Sequence, residues 1–195
     1  SYDTRGRIAE FSALPGVPPR VRRVRALPGT WELPQSTIVT PDTHFSGMAL
    51  LEIGRACGRG CRFCAAGFIY RPLRLVDAPI LMKEITKALE RSPKVGLISP
   101  GIADIPEVNE LVRYIFQSGG CGAPSSVRAD ALDEELLASL QKMGQKSLAI
   151  APEAGSDRLR RVINKDLTEE AILEAALKLC RAGLKIMKLY FMVGL

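Results

Sequence analysis

Histidine is nearly missing from this 195-residue chain: there is one, His44. Long apolar runs are missing too. Each is broken by Gly, Pro or a charge well short of the roughly 18 residues that a membrane helix needs. The opening SYDTRGRIAE lacks the apolar core of a secretory signal. Five cysteines, an odd number without such a signal, argue against a disulfide framework and for a reducing cytoplasm. Acidic residues are scarce early on. Residues 1–75 hold 11 Arg against 5 acids, while residues 76–195 hold 16 of each sign, so the whole net charge of +6 is N-terminal arginine. The basic run PPRVRRVRALP has no interleaved aromatics. That favours a solvated linker, with arginines near an anionic cofactor, over a nucleic-acid surface; an RNA or nucleotide substrate is the second reading.

What is present is a globular composition, 47% hydrophobic and 25% charged, with a length that suits one domain plus an appendage. Residues 1–47 are rich in Pro and Arg and poor in helical periodicity, which predicts an extended basic linker with one short hairpin around Trp31 to Val39. From residue 48 the pattern changes. MALLEI, KVGLIS, APSSV, KSLAIA and LKIMKLYFMVGL read as strands. Between them lie three amphipathic helical patterns: Ile80, Leu81, Ile85, Ala88 and Leu89; Val108, Leu111, Val112 and Ile115; and Leu136, Leu137, Leu140 and Met143. A fourth, TEEAILEAALKLCRAG, opens with Thr168 as N-cap and a Leu167–Ile172 staple, and Asp104 with Glu107 reads as a capping box for the second. Alternation of strand and helix predicts an α/β fold with parallel strands, an incomplete (βα) barrel over 48–195 that lacks its last unit. The absence of an initial Met and the ending in mid-pattern predict a piece of a longer protein.

Ligands in such barrels sit at the C-terminal ends of strands. The polar oddities fall there: RACGRGCRFC after the first strand, SPGIAD after the second, Ser125 to Asp130 after the third and PEAGS after the fourth. Cys57, Cys61 and Cys64 lie within eight residues. Gly58 and Gly60 would let the backbone curl and aim N–H groups at sulfur. Arg55, Arg59 and Arg62 could offset a negatively charged iron–sulfur cluster, and Phe63 could shield it from water. A structural zinc ion would need a fourth ligand, yet His44 is 13 residues upstream of Cys57 and Cys121 is distant. A ferredoxin-like electron-transfer module would need a nearby fourth cysteine. The remaining reading is a 4Fe–4S cluster with one iron left open.

The pattern CGRGCRFC after an apolar strand resembles the radical S-adenosylmethionine (radical SAM) superfamily, and the resemblance spans about residues 37–195. Within it, TPDTHFSGMALLEIGRACGRGCRFCAAGFIYRPLR, SLAIAPEAGSDRLRRVINK and LKIMKLYFMVGL resemble a bacterial group with an upstream cobalamin-binding-like domain. The resemblance implies a partial TIM barrel and an enzyme. Cys57, Cys61 and Cys64 would ligate three irons, and S-adenosylmethionine would chelate the fourth. One-electron cleavage would then yield a 5′-deoxyadenosyl radical that abstracts hydrogen from substrate. It further implies cofactor contacts from Phe63, Ser99, Gly101, Ser126, Arg128, Glu153 and Lys165, with Lys165 facing the cofactor carboxylate. An electron donor such as flavodoxin or ferredoxin is implied, with no membrane partner. Cobalamin would enter only through an upstream domain. Ala56 stands where this group has Gly.

Overall fold

Apolar side chains two residues apart lie on one face of a strand, and those three or four apart lie on one face of a helix. Both periods appear in the computed structural model, which describes residues 1–22, 24, 33–124 and 127–194. The chain divides into two units, Ser1–Trp31 and Glu32–Leu195. In the first, Tyr2 and Ile8 form an antiparallel bridge around a turn in which the Asp3 carboxylate accepts from the Arg5 and Arg7 N–H groups, each at 2.9 Å.

The second unit carries the parallel strands. β1 (Ala49–Glu52) pairs with β4 (Lys94–Ile98), and β4 pairs with β5 (Cys121–Pro124), all parallel. β6 (Ser147–Glu153) pairs in parallel with β7 (Ile186–Phe191). The Val127 N–H donates to the Ala149 carbonyl at 3.5 Å and links the two groups into one arc. At its other edge Gln35 bridges Leu51, with the Ser36 N–H on the Leu50 carbonyl at 2.9 Å. Trp31 and Glu32, where the expected hairpin begins, lie outside the described residues.

Helix α2 (Ala78–Arg91) buries Leu81, Ile85 and Ala88 and packs against β1 and β4. Ile80, expected inward, is 41% exposed. α3 (Val108–Gln117) buries Leu111, Val112 and Ile115 and packs against β5. α4 (Glu134–Lys142) buries Leu136, Leu137 and Leu140, and its N-cap Asp133 accepts from the Leu136 N–H at 2.7 Å. Met143 falls at the C-cap instead, where its sulfur accepts from the Gly122 N–H at 3.2 Å. α6 (Glu169–Arg181) is capped by Thr168, which accepts from the Ala171 N–H at 3.2 Å.

Three expectations shift. The third strand is centred two residues earlier than APSSV, and Ser125 and Ser126 lie outside the described residues. Asp104 caps nothing: it ends a 3-10 turn, Ile102–Asp104, and α3 starts at Val108 without a side-chain cap. Four short elements were not expected at all. They are the antiparallel pair β2 (Gly54–Arg55) and β3 (Arg74–Leu75), α1 (Ala66–Ile69) and α5 (Asp157–Val162). Among the described residues no helix is long and apolar enough to cross a membrane.

Candidate functional site

The cysteine loop leaves the sheet directly after β1 and β2. Cys61 is buried, Cys57 and Cys64 are half-buried, and all three are free thiols. The glycines do not supply the tight turn. Neither Gly58 nor Gly60 has a positive φ, and the left-handed residue is the fully buried Ala56, at φ 76°. The sequence departs from the group's Gly at the position where Gly would be unstrained. One N–H reaches sulfur, from Arg59 to Cys57 Sγ at 3.5 Å.

Contacts from outside hold the loop's backbone. Asn164 Nδ2 donates to the Gly60 carbonyl at 2.7 Å and Arg71 to the Arg59 carbonyl at 2.8 Å. The Arg62 N–H reaches the Ile163 carbonyl at 2.9 Å, and its guanidinium reaches the Val162 carbonyl. Two of the three loop arginines are already paired: Arg55 with Glu52 at 2.5 Å, and Arg59 with Asp104 at 2.9 Å. Asp104 also comes within 3.8 Å of Cys57 Sγ. Burial pushes the Cys57 thiol up, the Arg59 N–H opposes this, and the Asp104 charge adds to the rise.

The segment after β4 seats the first cysteine. Ser99 is buried, and its hydroxyl accepts from the Gly101 N–H at 3.3 Å. A Cβ on Gly101 would stand 3.1 Å from Asp104 Oδ2 and 3.4 Å from Cys57 Cα, so any larger residue crowds the loop. Pro100 and Ile102, its neighbours, line a cavity of about 170 Å³ with Arg128, Glu153, Lys165 and Leu167. Lys165 and Glu153 form an ion pair at 3.2 Å with side chains only 10% and 15% exposed. The Lys165 ammonium lies 5.8 Å from the Phe63 ring centre. The Arg128 guanidinium donates to both Asp130 carboxylate oxygens at 2.9 Å, to the Lys165 carbonyl at 3.2 Å and to the Asp166 carbonyl at 2.8 Å. Burial disfavours the Asp130 carboxylate, but hydrogen bonding and charge from Arg128 outweigh it and hold the carboxyl below its ordinary value.

The structure therefore brings Cys57, Cys61, Phe63, Cys64, Ser99, Gly101, Arg128, Glu153 and Lys165 to one rim. Ser126 lies outside the described residues. Sequence reasoning missed Asp104, Arg71 and Asn164. Asp104 was masked by its resemblance to a helix cap. The one advance signal for Asn164 was its residue type, since Asn tolerates the left-handed conformation (φ 53°) found there.

The family model of the Radical SAM superfamily matches residues 51–195. An uncharacterized protein of Methanocaldococcus jannaschii is 43% identical over 148 residues, 75% of this chain and 33% of that protein. The chain thus spans about a third of that relative's length. Among solved structures, the cobalamin-dependent S-adenosylmethionine radical enzyme OxsB, with aqua-cobalamin and S-adenosylmethionine bound, superposes with a TM-score of 0.57 at 17% identity. That match covers 73% of this chain and 23% of OxsB. Methylornithine synthase (PylB) gives 0.51 at 16% identity, over 71% of this chain and 42% of that one. At these identities the likeness is one of fold, and the arc of parallel strands is a partial TIM barrel. With its three-cysteine loop at the strand ends and a family match over most of its length, the chain belongs to the radical SAM superfamily.

Proposed function

We propose that Cys57, Cys61 and Cys64 hold a 4Fe–4S cluster whose open iron takes S-adenosylmethionine, with the ligand's amino acid end at the adjoining cavity. The supporting observation is that loop and cavity adjoin where Phe63 lies beside Lys165, and that Gly101, between the cavity residues Pro100 and Ile102, stands against Cys57. The donor set fits: three free thiols share one loop whose backbone carbonyls at Arg59 and Gly60 are fastened by side chains from outside it. A single structural zinc ion fits less well, because it needs a fourth ligand, and the loop itself supplies three thiols and no histidine. When bound, the cluster supplies one electron that splits S-adenosylmethionine into methionine and a 5′-deoxyadenosyl radical, which takes a hydrogen atom from substrate.

The chain's own residues bind, orient and exclude water. Glu153 and Lys165 satisfy each other in the cavity, one charge of each sign. A zwitterionic amino acid group exchanges that mutual contact for one partner each, the amino group on Glu153 and the carboxylate on Lys165, without leaving a buried charge alone. Phe63, 40% exposed, is assigned to cover the cluster only once the cofactor is bound, and Ser99 fixes Gly101 so that its backbone stays close to Cys57. Arg128 orders the 165–166 segment through its two carbonyl bonds. Ser126 is assigned a cofactor contact on sequence grounds. The electron donor is a flavodoxin- or ferredoxin-type protein of a reducing cytoplasm. OxsB is cobalamin-dependent; no residue of this chain is assigned to that cofactor.

The test is anaerobic reconstitution, reduction with dithionite and assay for 5′-deoxyadenosine, with iron and sulfide analysis. Roughly four irons per chain and 5′-deoxyadenosine formation are expected, both lost in Cys57→Ala, Cys61→Ala or Cys64→Ala. Bound zinc without iron would refute the proposal. A cluster without cleavage, in the full-length protein, would leave an electron-transfer module.

A further inference from the structure

Arg59 and Asp104 form an ion pair that no cofactor contact requires. The Asp104 Oδ1 atom accepts from Arg59 Nε at 3.1 Å and from its terminal nitrogen at 2.9 Å, a geometry that fixes the guanidinium plane. Asp104 Oδ2 lies 3.8 Å from Cys57 Sγ, while the backbone N–H of the same Arg59 lies 3.5 Å from that sulfur. The pair is partly buried, with side chains 36% and 17% exposed, so solvent screens it incompletely. Asp104 is fixed in turn by the 3-10 turn, whose Asp104 N–H donates to the Gly101 carbonyl at 2.9 Å. One contact thus joins the segment after β4 to the first ligand of the cysteine loop and sets one positive and one negative charge beside that ligand.

We infer that Arg59 and Asp104 are positioning residues that hold Cys57 and balance the charge at the cluster, so that together they set its reduction potential. This rests on the cluster assignment above. An added electron is favoured by a nearby positive charge and opposed by a negative one. Asp104→Asn leaves Arg59 unbalanced and raises the midpoint potential. Arg59→Gln leaves Asp104 unbalanced and lowers it. The double variant returns close to wild type. A full charge at this partly buried distance is worth on the order of tenfold in the reduction equilibrium, about 59 mV for one electron.

The experiment is potentiometric titration of the anaerobically reconstituted protein with dithionite and mediators, followed by electron paramagnetic resonance, with iron content measured in parallel. Opposite shifts in the two single variants and their cancellation in the double variant are expected. If a single variant loses iron, recovery of iron in the double variant supports the same inference. Shifts of equal sign, unchanged potentials, or iron loss in both single variants that the double does not restore, would overturn it. A wild-type protein that takes up no cluster would instead overturn the cluster assignment, so the two failures are distinguishable.

Discussion

Arg160→Met should destabilise the protein more than any other single change outside its apolar core. Arg160 is 2% exposed, and its guanidinium donates to the Leu167 carbonyl at 2.7 Å and the Ala154 carbonyl at 2.8 Å. Both bonds are buried. Its third partner, Asp157, is 41% exposed and adds little. Methionine keeps most of the stem's packing but leaves two buried carbonyls without a donor. Hydrogen bonds to charged groups contribute about 1.5–3 kcal/mol each, so the loss of two is about 3–6 kcal/mol. In a chain of this length that lowers Tm by roughly 6–24 °C. Ala154 and Leu167 flank Glu153 and Lys165, so S-adenosylmethionine affinity should fall in the same variant. Arg160→Lys, which can satisfy one carbonyl but not both, should fall between. The assay is urea unfolding followed by circular dichroism, reading the midpoint at constant slope. A loss under about 1 kcal/mol would refute the reasoning, because it would mean that water replaces the guanidinium at no cost.

Ala56→Gly removes left-handed strain of about 1 kcal/mol but also a buried methyl worth about 0.8 kcal/mol, so stability should stay within about 1 kcal/mol of wild type. Ala56→Val sets a β-branched residue at φ 76° with no free space, and should cost more than about 2 kcal/mol and much of the iron, as melting and metal analysis will show. Gly67→Ala places a Cβ 2.9 Å from the Arg59 carbonyl oxygen, a backbone atom, and should reduce iron uptake several-fold. Gly58→Ala meets nothing within 4 Å and should not. The folded pKa of Asp130 is depressed by Arg128, so its stabilisation is present above the unfolded value near 3.8 and is lost as pH falls through the lower folded value. Urea midpoints from pH 2 to 6 should show that part of the acid dependence missing in Asp130→Asn.

The periodic elements were legible because burial imposes period on them. Leu81, Ile85 and Ala88 on α2, and Leu136, Leu137 and Leu140 on α4, are spaced by the helix turn and all are buried. The cysteine loop was legible for another reason: three thiols in eight residues have few other uses. What stayed hidden was local and long-range. The two-residue strands β2 and β3 carry no periodicity, and their pairing of Gly54 with Leu75 joins residues 21 apart. Asp104 and Arg59, 45 residues apart, meet only because β1 and β4 are parallel neighbours. Its local spacing to Glu107 fits a capping box, so only the tertiary contact separates the two readings. The three loop arginines suggested free positive charge; Glu52, three residues before Arg55, was a partner in plain view, whereas Asp104 was out of range of Arg59.

Backbone strain points to the same rim without using the cysteine motif. Among the described residues four non-glycine residues have positive φ: Ala56, Glu153, Asn164 and Asp166. Ala56 enters the cysteine loop, and Asn164 holds that loop by the Gly60 carbonyl. Asn164 and Asp166 flank Lys165, and Glu153 is the partner of Lys165. Glu153 also ends β6 where its register with β7 shifts, between the Ile150–Leu189 and Glu153–Phe191 pairs. The extra residue on β6 bends the strand end, so that Ala151 and Glu153 both line the cavity. Asn164 and Asp166 adopt the left-handed conformation at little cost, as their residue types allow, whereas Ala56 and Glu153 each cost on the order of 1 kcal/mol and keep it only where their surroundings fix it. No non-glycine residue elsewhere among those described adopts it, so both costs fall on this rim. Under the proposed cluster assignment, that strain belongs to a rim that aims Glu153, Lys165 and the three thiols at a shared ligand.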